Sequence, residues 1–172
     1  MQISVLGCGR WGTFIAWYLN EIGHETILWG RSSSQHFQEL QSTRKNKFLS
    51  LSDSMVLESD LKTAVDHASV IVISISSQSL RSFMKDLSCY DLKNKTIVLC
   101  MKGVEESTGK RLTEVVREFT TNETPVAVWV GPGHVEDFMK GIPNCMVIDS
   151  EDEKCKNFLI EEFSSELIRF YN

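Results

Sequence analysis

The sequence predicts a doubly wound α/β fold, a mostly parallel sheet with helices on both faces. Three observations carry that expectation. Strand-like and helix-like segments alternate along the 172 residues, the order required by parallel strands joined through crossover helices. The run Val70-Ile71-Val72-Ile73-Ser74-Ile75 is uncharged and largely β-branched, as strands covered on both faces are. The first strand-like run, residues 2–6, leads directly into Gly7-Cys8-Gly9-Arg10-Trp11-Gly12.

The elements follow in order. Residues 10–22 place Trp11, Phe14, Ile15, Tyr18, Leu19 and Ile22 at helical spacing before Gly23, a residue suited to ending a helix. Residues 26–29 predict a second strand, and 34–45 a polar helix after three serines, any of which suits its cap. A short strand at 55–57 and a short helix at 60–67 precede the buried strand at 70–75. Leu80, Phe83, Met84 and Leu87 share one face of a predicted helix over 78–87. Strands at 96–100 and 126–130 flank a helix at 108–120. Ser150-Glu151-Asp152-Glu153 has the form of a capping box opening a helix that runs to about 163, and 167–170 predict a last strand. No repeat, linker or low-complexity tract divides the chain, so residues 1–172 are expected to form one domain.

Composition narrows the partners. A net charge of −5 gives no electrostatic basis for binding nucleic acid or an anionic membrane. No apolar run approaches the roughly 20 residues of a membrane span. Met1 leads straight into a strand, without the basic and apolar regions of a secretory signal. Five scattered cysteines without a C-x-x-C pair read as reduced thiols in a cytoplasm, and the four histidines lack metal-ligand spacing, so no metal is expected.

Gly7-x-Gly9-x-x-Gly12 has the context of the dinucleotide fingerprint, after a strand and at the start of a helix. Gly7 permits the tight turn, Gly9 lets a pyrophosphate approach the backbone, and Gly12 lets helix and strand pack closely. The alternative is a compact turn that holds nothing. The expected cofactor is NADP or NAD in a Rossmann-type domain. Where a carboxylate would bind the ribose 2′-hydroxyl of NAD, Trp29-Gly30-Arg31-Ser32 offers none. Arg31 instead presents a guanidinium for a 2′-phosphate or for stacking on adenine, which leans the expectation to NADP, unless Arg31 faces solvent.

Gly7–Gly12 together with Ile27-Leu28-Trp29-Gly30-Arg31 resembles the bacterial-type NAD(P)-dependent glycerol-3-phosphate dehydrogenases. Ser76-Ser77-Gln78-Ser79-Leu80-Arg81 is similar to that family's V-P-S-Q-x-x-R turn, and Met101-Lys102-Gly103-Val104-Glu105 to its T-K-G-[IVL]-E motif. Gly131-Pro132-Gly133-His134-Val135-Glu136-Asp137 with Pro143 resembles G-P-[ST]-[HF]-A-x-E and a later proline. These motifs keep order and spacing over the whole chain.

The resemblance implies reduction of dihydroxyacetone phosphate to sn-glycerol 3-phosphate by NAD(P)H, a supply of glycerophospholipid precursor in a cytoplasmic enzyme. It implies that Lys102 contacts substrate and cofactor, near the carbonyl oxygen where hydride transfer builds negative charge. Arg10, Trp11, Arg31 and Val135 align with cofactor contacts, and Gly131 and Gly133 with substrate contacts. Trp11 also suits packing at the helix start, and His134 reads as a loop residue because the family accepts Phe there. Ser76 replaces a proline, Gly133 a Ser or Thr, and Val135 a small alanine near the nicotinamide, which valine's extra methyls would crowd.

The principal catalytic lysine, the phosphate grip and most dimer contacts of the family lie in a helical C-terminal domain. Residues 168–172 resemble the F-R-x-Y-x-N strand just before it. The chain is therefore expected to be the cofactor domain of a longer, homodimeric enzyme and to be inactive alone. Two alternatives stand beside this. One is a free-standing NAD(P)H-sensing or interaction module; the other is a sister dehydrogenase acting on another hydroxy acid or sugar acid.

Overall fold

A computed structural model describes residues 1–171; Asn172, the end of the last motif above, lies outside the described residues. The strands are β1 (Gln2–Leu6), β2 (Glu25–Trp29), β3 (Val56–Glu58), β4 (Val70–Ile73), β5 (Thr96–Leu99), β6 (Val126–Val130), β7 (Asn144–Ser150) and β8 (Ile168–Tyr171). The helices are α1 (Arg10–Glu21), α2 (Gln35–Thr43), α3 (Leu61–His67), α4 (Leu80–Leu87), α5 (Leu112–Arg117), α6 (Val135–Phe138) and α7 (Glu153–Phe163). One sheet runs β3-β2-β1-β4-β5-β6-β7-β8. All neighbours are parallel except β6 and β7, which pair antiparallel. The mostly parallel, doubly wound expectation holds.

Side-chain alternation along the central strands builds two cores. Ile3, Val5, Val70 and Val72 pack with Phe14, Ile15 and Tyr18 of α1, Phe37 and Leu40 of α2, and Leu159 and Phe163 of α7. Their neighbours Leu6, Ile71 and Ile73 point to the other face and pack with Ala64 and Val65 of α3, Phe83 and Met84 of α4, and Val115 and Val116 of α5. Period-two alternation therefore operates even where the sequence reads as one apolar run, because both faces are covered. Ser4, the buried polar side chain of β1, donates to the Ala64 carbonyl at 2.6 Å, so its hydroxyl is satisfied.

Several expectations are corrected. The strand β7 was not expected: Met146 and Ile148 are buried between the more exposed Cys145, Val147 and Asp149, a one-sided alternation too short to stand out beside Pro143 and the acidic run after it. The helix expected at 34–45 stops at Thr43, where Arg44 takes a left-handed cap with φ 58°. The helix expected at 108–120 is confined to 112–117, because the preceding segment folds into a loop closed by a Val104–Arg111 bridge. Asp152, not Ser150, caps α7, its Oδ1 accepting from the Lys154 and Cys155 amides at 2.9 and 3.0 Å. The Ser150 hydroxyl instead donates to the Val126 carbonyl at 2.8 Å, stitching β7 to β6.

The sheet's order turns about β1 and β4. From β1 the chain steps outward to β2 and β3, and from β4 it steps the other way. Between their carboxyl ends lies the glycine turn. Gly7 has φ +123°, a conformation side chains resist, and a Cβ there would sit 2.1 Å from the Ser74 carbonyl oxygen. A Cβ on Gly12 would sit 1.9 Å from the Gly7 carbonyl oxygen. Backbone meets backbone at both points, so neither can yield cheaply. Gly12→Ala is expected to lower stability by about 1–3 kcal/mol, the usual cost of overpacking, seen as a reduced urea midpoint. An unchanged midpoint would show that α1 lifts freely from the turn.

Candidate functional site

A cavity of about 860 Å³ opens where β1 and β4 end, the position at which doubly wound sheets take ligands. The glycine turn forms its floor. On one side lie Trp29, Gly30, Arg31, Ser34 and His36; on the other lie Ser74 to Ser77, Cys100, Met101 and Lys102, with Trp129, Gly131 and Gly133 beyond. Among the described lining residues there is no Asp or Glu, while Arg31, His36, Lys102 and His134 carry basic nitrogen. A lining of this charge suits an anion.

The first turn of α1 faces this cavity through Trp11 and Gly12. Ser34, Asp60 and Asp152 cap α2, α3 and α7 with side-chain oxygens, whereas Gly9, the cap position of α1, has no side chain to do so. A Cβ built on Gly9 would meet nothing within 4 Å. No side-chain oxygen therefore takes the leading amides of α1, and a helix start of this kind suits an anion. The three glycines serve three purposes: a positive φ at Gly7, helix contact at Gly12, open approach at Gly9.

Of the residues singled out in the sequence, Gly7, Gly9, Trp11, Gly12, Arg31, Lys102, Gly131 and Gly133 line the cavity. Arg31 is exposed at the end of β2 and makes no ion pair among the described residues. The Lys102 ammonium donates to the Gly131 carbonyl at 3.0 Å, joining the exits of β5 and β6. Trp11 does both things expected of it, lining the cavity and packing on Phe14 with ring centroids 5.3 Å apart.

Two of the singled-out residues are not brought into the cavity wall. Arg10 turns aside to pair with Glu136 and to lie over the Phe48 ring, 4.6 Å from its centroid. Val135 is 1% exposed and belongs to the core beside α1, so its methyls are absorbed by packing. Gly133 has a local reason of its own: a Cβ there would lie 2.4 Å from the Phe138 ring. The space a Ser or Thr would need is filled by an aromatic side chain stacked on Phe14 at 5.1 Å.

The sequence reading missed the walls contributed by Ser34, His36 and Cys100, and an ion-pair network behind Lys102. Arg81 on α4 donates to both Glu105 oxygens, at 2.7 and 2.9 Å, and to Glu118 at 2.5 and 3.0 Å. Glu118 also accepts from Lys110 at 2.8 Å, and Glu105 from the Thr108 hydroxyl at 2.5 Å. Hydrogen bonds from Arg81 and then Lys110 hold Glu118 down to about 2, and Arg81 and then Thr108 lower Glu105. The two carboxylates, Glu118 foremost, hold the Arg81 proton more firmly still. Burial pushes the Cys100 thiol well above its ordinary value, and does the same less strongly to Cys8, which contacts the Ser34 hydroxyl at 3.7 Å.

A glycine turn at the crossover of a doubly wound sheet, beneath an acid-free cavity, defines a Rossmann-type domain. Residues 2–156 match the family described as NAD-dependent glycerol-3-phosphate dehydrogenase N-terminus, and the chain belongs to that family. It is 38% identical over 174 residues to a glycerol-3-phosphate dehydrogenase (NAD(P)+) of Thermoanaerobacter sp. (strain X514), covering 99% of this chain and 52% of the relative. A relative of the same name from Fusobacterium nucleatum is 32% identical over 176 residues, with the same two shares. The chain thus spans about half the length of these curated relatives. The crystal structure of glycerol-3-phosphate dehydrogenase from Coxiella burnetii superposes with a TM-score of 0.88 at 24% identity, over 98% of this chain and 52% of that one, which shows the common fold.

Because both carboxylates titrate lower in the folded chain than the ordinary 4.5, their contribution to stability is complete above pH 4.5. It is lost as pH falls towards the folded value, about 2 for Glu118. Urea midpoints measured from pH 6 to pH 3 are expected to fall most steeply below pH 4.5, and less steeply for Glu118→Gln. Parallel pH curves for parent and variant would exclude this network as a source of acid sensitivity.

Proposed function

We propose that the chain binds NAD(P)(H) in this cavity as the cofactor-binding part of a glycerol-3-phosphate dehydrogenase. The observation carrying this reading is the uncapped start of α1 above Gly9, inside an acid-free wall. The amides of the α1 first turn receive the pyrophosphate, and Arg31 at the β2 exit receives a 2′-phosphate, which favours NADP over NAD. When bound, the cofactor supplies the hydride.

At the other end of the cavity, Lys102, Gly131 and Gly133 meet the substrate, a small phosphorylated ketone of the dihydroxyacetone phosphate kind. The Lys102 ammonium, oriented by the Gly131 carbonyl, offers its remaining protons to the carbonyl oxygen as charge develops there. Gly131 and Gly133 line that point with backbone alone. The remaining catalytic lysine and the phosphate grip belong to the portion of length that the curated relatives have beyond this match, and the complete enzyme is a cytoplasmic homodimer. The net charge of −5 gives no electrostatic basis for a nucleic-acid partner, and among the described residues no helix is long and apolar enough to cross a bilayer.

Titration of the chain with NADPH and NADH, followed by quenching of its four tryptophans and by nicotinamide emission, tests the reading. Saturable binding is expected, tighter for NADPH. Arg31→Ala should weaken NADPH by roughly tenfold, about 1.4 kcal/mol, and NADH much less. Failure to bind either dinucleotide would sink the assignment.

A further inference from the structure

Lys102 is exposed and sits on a loop, yet the reading above needs its ammonium held at one place. Its Gly131 contact alone is a single hydrogen bond at the end of a flexible stem. What fixes the loop lies outside the cavity. After Lys102 the chain reverses at Gly103, with φ +112°, and folds back so that Glu105 faces α4. The Glu105 side chain is only 8% exposed, and its oxygens are taken by the fork of Arg81 and by Thr108. A bidentate guanidinium–carboxylate pair fixes orientation as well as distance.

Gln78 secures the same loop from the turn after β4. Its amide nitrogen donates to the Val104 carbonyl at 2.9 Å, and its amide oxygen accepts from the Glu106 N–H at 3.0 Å. The two backbone groups flank Glu105, so one side chain pairs with the loop as an adjacent strand would. Gln78 and Arg81 follow directly on Ser74 to Ser77, which form the cavity wall facing the glycine turn. The loop bearing Lys102 and that wall are thereby one body.

We propose that Gln78, Arg81 and Glu105 are positioning residues that set Lys102 against its ligand without touching the ligand themselves. This rests on the reading that Lys102 meets the nicotinamide end of a bound dinucleotide. Ligands that stop at the pyrophosphate and its ribose do not depend on the clamp. Ligands that reach Lys102 do.

The test compares NADPH with ADP-ribose on the parent chain, Glu105→Gln, Lys102→Met and the double variant, with Gln78→Ala as an exposed-site alternative should Glu105→Gln fold poorly. Glu105→Gln is expected to weaken NADPH about fivefold, on the scale of one lost charge-assisted contact, while ADP-ribose stays within about twofold. The double variant should bind NADPH no worse than Lys102→Met alone. Additive losses, a parallel loss of ADP-ribose binding, or unchanged NADPH affinity in both clamp variants would overturn the proposal. A ligand-free readout separates this from the cofactor reading. Acetylation of Lys102, relative to the exposed Lys85, should speed up about twofold or more when the clamp is cut, since a freed amine loses its fixed partner. An unchanged rate overturns the clamp even if NADPH binds, and a raised rate upholds it even if NADPH does not.

Discussion

The close approach of two backbones at the centre of the sheet is the constraint on which the rest depends. Gly7 lies against the Ser74 carbonyl and Gly12 against the Gly7 carbonyl, with no room for a Cβ at either point. That contact lets β1 and β4 end side by side while the chain leaves them in opposite directions, and it brings the start of α1 to the mouth between them. Widen the contact by one methyl and the helix must lift, the strands must part, and the cavity loses its floor. Two cores cover the sheet on opposite faces around it, one holding Phe14 and Tyr18 and the other Phe83 and Met84.

An acidic chain with an acid-free cavity requires its nearby carboxylates to be occupied elsewhere. Each is. Glu136, at the start of α6, pairs with Arg10. Glu105, three residues past Lys102, is taken by Arg81 and Thr108. Glu58, at the end of β3, accepts the Ser59 and Asp60 amides at 2.7 and 2.8 Å. The cavity lining itself holds no Asp or Glu among the described residues, so the chain's net charge of −5 does not describe this wall. Net charge speaks to solubility and association, and the local arrangement decides recognition.

Much of this was legible in the sequence because it is local. The glycine spacing, the helix behind it and the Val70–Ile73 strand all depend on residues adjacent in the chain. Arg31 and Lys102 were legible because each follows a strand whose carboxyl end faces the crossover. The strand β7 was not, since only Met146 and Ile148 turn inward and its partner runs the opposite way. Nor was the fate of Arg10, whose direction is decided by Glu136 and Phe48, far from it in sequence. Val135 aligned with a cofactor contact, but it packs in the core beside α1 at 1% exposure. The Arg81–Glu105 pair spans motifs that sequence reading recognised one at a time, with nothing in either to announce the other.

The thiols of the cavity wall have a consequence for how the protein ages. Cys8 and Cys100 stand beside the ligand space, where an alkylating or oxidising agent would do most harm, yet burial raises the pKa of both. The reactive species is the thiolate, and burial disfavours that form at both positions. Cys89 and Cys145 are exposed, on a helix-end turn and an outward face of β7, well away from the glycine turn in the sheet order. Cys89 and Cys145 are the thiols that an oxidant in solution meets first, away from the cleft that Cys8 and Cys100 line.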